Sequence, residues 1–217
     1  MKYYDLSRPL GPGSMVWPGA ETPVLAPAAT LEADGFRETE LKFLSHTGTH
    51  MDAPAHMLKD GATLEDIPVE QFFGRARVMD CRNFGPGSRI EASDLPPLED
   101  IDFLLLATGW EEKWGSPAYF GPFPVLSRAA SEKLAGSGLK GVGVDAMSVD
   151  PMDSREYPVH KVLLGAGMVI LENLAGLGPL LGREVELIAL PMKYTGADGA
   201  PVREMCIRDS APCTCTL

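Results

Sequence analysis

The chain has 217 residues, 45% of them hydrophobic, and carries 30 acidic against 19 basic side chains for a net charge of −11. That length and apolar content suit a single domain with a full core, while the negative charge repels phosphate backbones and argues against nucleic acid as a partner. No segment approaches the roughly 18 apolar residues of a membrane span, and the opening residues 1–10 lack the apolar run of a signal peptide, so a soluble cytoplasmic protein is expected, with no membrane association.

Taken in chain order, Glu38 to Leu44 alternates, with Thr39, Leu41 and Phe43 set against Glu38, Glu40 and Lys42. This predicts a half-buried strand leading into His46. Residues 46–56 follow as an irregular loop, since Gly48 and Pro54 are poor helix formers. Pro68 opens a short helix through Phe73, with Asp66 near its positive end. Apolar runs at Ala76–Met79, Phe103–Ala107, Val142–Val144, Met168–Leu171 and Val185–Leu190 each fit a buried strand. Ser127 caps a helix ending at Ala135 before Gly136, and Pro158 starts another that reaches about Leu164. Strands outnumber helices and the order is mixed, so the fold class is α/β or α+β on a largely β core.

Three of the four histidines fall in the stretch His46-Thr-Gly-Thr-His50-Met-Asp52-Ala-Pro-Ala-His56. Imidazole nitrogens and carboxylate oxygens are the donors that zinc and manganese accept. The zincin pattern is excluded, because it places Glu after its first histidine and Thr47 stands there. In a loop, Gly48 permits a tight turn, and Thr47 and Thr49 can hydrogen-bond ligand groups. The alternative is a surface loop that happens to hold histidines. The fourth, His160, lies at the start of a predicted helix, and Glu172 ends an apolar run. Read alone, His160 is an ordinary partly buried histidine and Glu172 a salt-bridge partner. Asp145 and Asp150 read as turn-forming aspartates in a Gly/Pro-rich loop, the alternative being that they support metal ligands from behind.

The His-Thr-Gly-Thr-His-x-Asp-x-Pro-x-His loop resembles the signature of the cyclase-like metal-dependent hydrolases, the family of bacterial kynurenine formamidase (arylformamidase) and isatin hydrolase. Further blocks resemble it too: Asp5-Leu-Ser, Val16-Trp17-Pro-Gly, Ala107-Thr-Gly-Trp110, Gly143-Val-Asp-Ala-Met-Ser-Val-Asp150, Leu190-Pro-Met-Lys193 and Gly199-Ala-Pro-Val-Arg203. The resemblance implies a swivelling β/β/α domain with a small β-barrel, over residues 1–203, assembled as a homodimer or larger homo-oligomer. It implies that His46, His50 and Asp52 hold one metal ion, and that Asp52 bridges to a second held by His160 and Glu172. Zn2+, two per chain, or Mn2+ is the expected metal. His56 is then the acid/base, with the ordinary histidine pKa of about 6.5 that suits a proton shuttle, and Trp17 lines the substrate pocket. The implied activity is hydrolysis of a small aryl amide, N-formylkynurenine to kynurenine and formate. A cyclic amide such as isatin, an ester or a lactone would need only a different pocket. A non-catalytic metal-binding protein of the same fold would have no use for His56.

Residues 204–217 form an atypical tail. Met205-Cys-Ile-Arg-Asp-Ser210 reads like an in-frame translation of a transposase end used in sequencing libraries. Val202–Ile207 can still pair with the sheet by pattern, whereas residues 210–217 are expected to be poorly ordered. Cys206, Cys213 and Cys215 are accordingly read as neither a zinc nor a disulfide site.

Overall fold

The computed structural model describes residues 2–208. Its elements run β1 (Lys2–Asp5), β2 (Val24–Ala29), a single turn α1 (Leu31–Asp34), β3 (Glu38–Lys42), β4 (His50–Asp52), β5 (Phe73–Asp80), β6 (Arg89–Ile90), β7 (Phe103–Ala107), β8 (Val125–Leu126), α2 (Arg128–Ala135), β9 (Gly141–Val144), α3 (Pro158–Gly165), β10 (Val169–Glu172), β11 (Glu184–Pro191) and β12 (Gly199–Arg208). The five apolar runs become β5, β7, β9, β10 and β11, neighbours in one sheet of order β1-β12-β11-β5-β7-β9-β10-β4. A further pairing of β12 with β4 closes seven of these strands into a barrel.

Alternation along the strands divides the core in two. On β7, Phe103, Leu105 and Ala107 join an apolar cluster with Met51, Val78, Leu171 and Leu187, while Leu104 and Leu106 join the opposite cluster with Leu134, Leu163 and Leu164 of the helices. The first cluster fills the barrel and the second cements α2 and α3 to its outside. Inside the barrel, space is tight at β9. A β-carbon on Gly141 would collide with Val169 and Phe103, and one on Gly143 with Leu105 and Leu174. Ser127 caps α2 by accepting the Ala130 N–H at 3.1 Å, as its sequence signal requires.

Three sequence expectations are corrected. Residues 68–73 form only a 3-10 turn, Val69–Phe72, because Phe73 already belongs to β5 and pairs with Ile188. β3 is a strand but not a half-buried one. It pairs only with β2 in a separate two-stranded ribbon, and both faces stay open, leaving Leu41 56% and Val24 51% exposed. Alternation predicted the pleat, but no layer among the described residues covers its apolar side. Residues 46–56 are not loop throughout, since His50–Asp52 is a barrel strand and Pro54–His56 a 3-10 turn.

β12 runs past Arg203 to Arg208 and pairs with β11 and β1, so the pattern-based pairing of 202–207 is met. Cys206 is a buried free thiol inside the barrel, whereas Cys213 and Cys215, with the tail from 209 on, lie outside the described residues. Glu204 points the same way as Val202 and Cys206. It is fully buried, and neither of its carboxylate oxygens has a hydrogen-bond partner among the described residues. Burial pushes its pKa well above the ordinary 4.5. It is also the first residue past Arg203.

Glu204→Val should therefore stabilise the fold by about 1–3 kcal/mol, the cost of an unsatisfied buried polar group, or a melting rise of roughly 2–4 °C per kcal/mol at this size. Because the folded-state pKa is raised, the stability this group allows is present below its unfolded pKa and lost as pH rises through the folded value. The gain of the variant over wild type should be smallest near pH 4 and grow toward neutrality. Paired thermal melts at several pH values check this, and a variant no more stable than wild type at pH 7 would refute it. No helix among the described residues is long and apolar enough to cross a membrane.

Candidate metal centre and cavity

The strand β4 organises the site. Its register sets His50 opposite Glu172 of β10 and Asp52 opposite Gly199 of β12. Period-2 alternation then sends Met51 into the barrel core and His50 and Asp52 to the other side. His46 arrives from the turn before β4, where Gly48 takes φ +68°. His56 ends the 3-10 turn after it, and His160 sits in the first turn of α3. His46 lies flat against the backbone of Gly199, where any β-carbon would strike its ring.

All five expected ligands converge. Asp52 Oδ1 lies 2.6 Å from His46 Nδ1 and 3.3 Å from His50 Nε2. Its Oδ2 is buried with no hydrogen-bond partner among the described residues and faces His160 Nε2 at 3.6 Å. Glu172 reaches His160 Nε2 at 3.3 Å and His50 Nε2 at 3.5 Å. Among the described residues two triads have donor atoms near enough to share an ion, His46–Asp52–His56 and His50–Asp52–Glu172, and Asp52 belongs to both. This grouping differs from the expected one, because His50 falls in with Glu172 and His56 comes close enough to ligate.

The partners of each imidazole bear on that difference. A ligating histidine normally donates its other N–H to an acceptor. His50 Nδ1 donates to the Gly48 carbonyl at 2.9 Å, which leaves Nε2 free to ligate. His160 Nδ1 donates to Asp150 at 2.8 Å, with the same result. His56 has no hydrogen bond of this kind among the described residues. Its ring stacks on His46 with centroids 3.8 Å apart, and its nearest carboxylate is Asp198, at 4.0 Å.

The electrostatics call for a cation. Burial opposes charge on Asp52, but the facing imidazoles of His46, His160 and His50 hold its pKa well below the usual carboxylate value. Burial alone would depress His46 too, yet Asp52 and Asp198 raise its pKa to about 9. His160 is likewise raised, against its burial, by Asp150, Asp52 and Glu172. Protons on these two rings supply positive charge that a divalent ion could replace, and a nitrogen–oxygen donor set is one that zinc and manganese accept. The residues fit a metal. His56 is the contrary case, since burial, with His46 and His160 nearby, pushes it down to about 4.

The cluster floors a cavity of about 360 Å³, also lined by Trp17, Met57, Met147, Ser148 and Tyr157. This volume suits a small molecule. Residues 4–151 match the family described as “Putative cyclase”. The chain belongs to the cyclase family. It is 36% identical to a kynurenine formamidase of Salinibacter ruber, across 97% of this chain and 99% of that one. Among solved structures of the cyclase fold, one described as a potential metal-dependent hydrolase with cyclase activity is 30% identical, with TM-score 0.79 over 94% of this chain and 96% of that one. An isatin hydrolase bound to thioisatinate superposes with TM-score 0.84 over 94% and 91% at 22% identity, a likeness of fold.

Two residues of this cyclase-family site escaped the sequence reading. Asp198 accepts from His46 Nε2 at 3.1 Å. It lies in the turn before β12, 152 positions from His46, and only its place beside Gly199 hinted at the site. Asn173, with φ +59°, donates to the Gly48 carbonyl at 2.8 Å and accepts from the buried Tyr119 hydroxyl at 2.7 Å, so it pins the histidine loop. Asp150, read as a turn former, binds the Val159 and His160 N–H groups as well as the His160 ring. Asp145 does serve a turn, taking the Thr108 and Gly109 N–H groups. Thr49 ties backbone together, donating to the Asn173 carbonyl and accepting the Arg8 N–H.

Proposed function

We propose that this chain hydrolyses an N-formyl arylamine, N-formylkynurenine foremost, to the arylamine and formate, using zinc or manganese. The observation that carries the reading is the buried Asp52 carboxylate, whose two oxygens face different histidines at the floor of a cavity walled by aromatic and thioether groups. The kinship with kynurenine formamidases along almost the whole chain supports it.

His46, His50 and Asp52 would hold one ion, and Asp52, His160 and Glu172 a second. Bound there, a divalent cation supplies Lewis acidity, which lowers the pKa of water toward neutrality and polarises a carbonyl. The chain's own groups manage the proton. His56 is neutral at pH 7, its pKa being pushed to about 4 by burial. With Nδ1 turned toward Asp198, its Nε2 is left to the substrate. That atom takes a proton from the attacking water and returns it to the leaving nitrogen as the C–N bond breaks. Asp198 favours the transient imidazolium between the two transfers. An arylamine leaves more readily than an alkylamine, so one donor suffices.

Purified protein offered N-formylkynurenine, isatin and a simple aryl ester should turn over the formamide fastest. Chelation should abolish that turnover, and zinc or manganese should restore it. Full activity in metal-free protein, or isatin as the preferred substrate, would exclude the proposal.

A further inference from the structure

Backbone strain singles out one more residue of the cavity. Among the described residues only three other than glycine have positive φ, namely Asp100, Tyr157 and Asn173. Asn173 pins the histidine loop, and asparagine tolerates this region. Tyr157 does not belong there. It sits at φ 47°, ψ 57° immediately before Pro158, and a bulky side chain disfavours the left-handed region just as a following proline disfavours helical backbone. Such strain costs on the order of 1–3 kcal/mol, persists only where the surroundings over-determine it, and gathers at ligand sites. Here the surroundings do so. The Tyr157 N–H donates to Ser154 Oγ at 3.1 Å, its carbonyl takes the Lys161 N–H at 3.1 Å, and Asp150 anchors the next turn of α3.

The strained backbone aims the ring at the cavity. Tyr157 lines it together with Trp17, and its ring stands edge-on to His160, with centroids 5.9 Å apart at 87°. The side chain is only half-buried, and its hydroxyl has no hydrogen-bond partner among the described residues.

We infer that Tyr157 is a substrate-binding residue that selects aryl amides bearing a hydrogen-bond acceptor next to the reacting nitrogen, its ring forming an aromatic wall with Trp17 and its hydroxyl donating to the acceptor. The inference rests on the hydrolase reading for the reaction but not for the binding. N-formylkynurenine has such an acceptor, the ketone ortho to its formamide, and formanilide has none.

The test compares wild type with Tyr157→Phe and Tyr157→Gly. Binding of kynurenine and of aniline is followed by ligand-observed NMR, and KM and kcat are measured for N-formylkynurenine and formanilide. Tyr157→Phe should lower the preference for kynurenine over aniline by about 2–12-fold, the weight of one neutral hydrogen bond, with a matching rise in KM for N-formylkynurenine and a smaller change in kcat. Tyr157→Gly should weaken both aryl ligands further. It should also melt at or above the wild-type temperature, because glycine relieves the left-handed strain, and that separates a binding role from a structural one. An unchanged preference in Tyr157→Phe overturns the inference, as does wild-type protein that binds kynurenine no better than aniline. If wild type binds kynurenine through Tyr157 but hydrolyses neither formamide, the binding role stands and the hydrolase reading falls.

Discussion

Asp52→Asn is expected to strip the protein of metal at both positions while leaving it folded. The aspartate is the one residue common to both candidate triads. Its Oδ1 faces His46 and His50, and its Oδ2 faces His160. An amide has a single acceptor oxygen and no charge, and its NH2 group would be turned on one histidine set or the other. Loss of an outer hydrogen-bond partner typically costs 10–100-fold in metal affinity, and loss of a shared anionic ligand should cost more. The fold should survive, because β4 is held by main-chain pairing to β10 on one side and β12 on the other, and neither ladder uses the Asp52 side chain. Glu172→Gln, which leaves Asp52 in place, should empty mainly one position. Elemental analysis of both variants beside fully loaded wild type checks this. Wild type saturating at one ion per chain, or Asp52→Asn retaining two, would refute the bridging role.

The parts of the fold that were legible in the sequence are those where one local rule acts without competition. β7, β9 and β10 are buried on both sides, so their apolar runs needed no context, whereas β5 and β11 bury one face only and show it in alternating buried and exposed residues. α2 and α3 carry their own start signals in Ser127 and Pro158. β3 shows where a local rule stops, since alternation reports a pleat and cannot report whether anything packs on it. β4 was hidden for a different reason. Two of its three residues are spent on the site, and Gly48 and Pro54 on either side read as loop, so the strand exists only through the partners that flank it. The same holds for the site. The candidate ligands of the loop were legible because histidine and aspartate crowd into eleven positions, whereas His160 and Glu172 entered only through the family resemblance. Asp198, Asn173 and the strained Tyr157 were not, because their roles come from the register of β12, from the corner after β10 and from the entry to α3, all settled by tertiary packing.

His56 is where the two possible groupings of the site make opposite predictions. If the His46–Asp52–His56 triad binds an ion, His56→Ala should lose metal. If His56 is the acid/base, the variant should keep its metal and its melting temperature while kcat falls by roughly 10²–10⁴, the usual span for general acid–base catalysis. The second outcome is expected. His50 and His160 each have a ring nitrogen committed to an acceptor that orients the other toward the carboxylates, whereas His56 makes no such hydrogen bond among the described residues. It is also the most exposed of the four histidine side chains, at 26% against 21%, 3% and 3% for His46, His50 and His160, and it lines the cavity beside Trp17. A group that must meet water, substrate and leaving amine in turn needs that access, and a ligand does not. His56→Gln serves as a second variant, since it keeps a polar side chain over the His46 ring but cannot shuttle a proton at neutral pH. Both variants should therefore fall in kcat at unchanged metal content, and metal loss in both would make His56 a ligand and leave the reaction without its proton carrier.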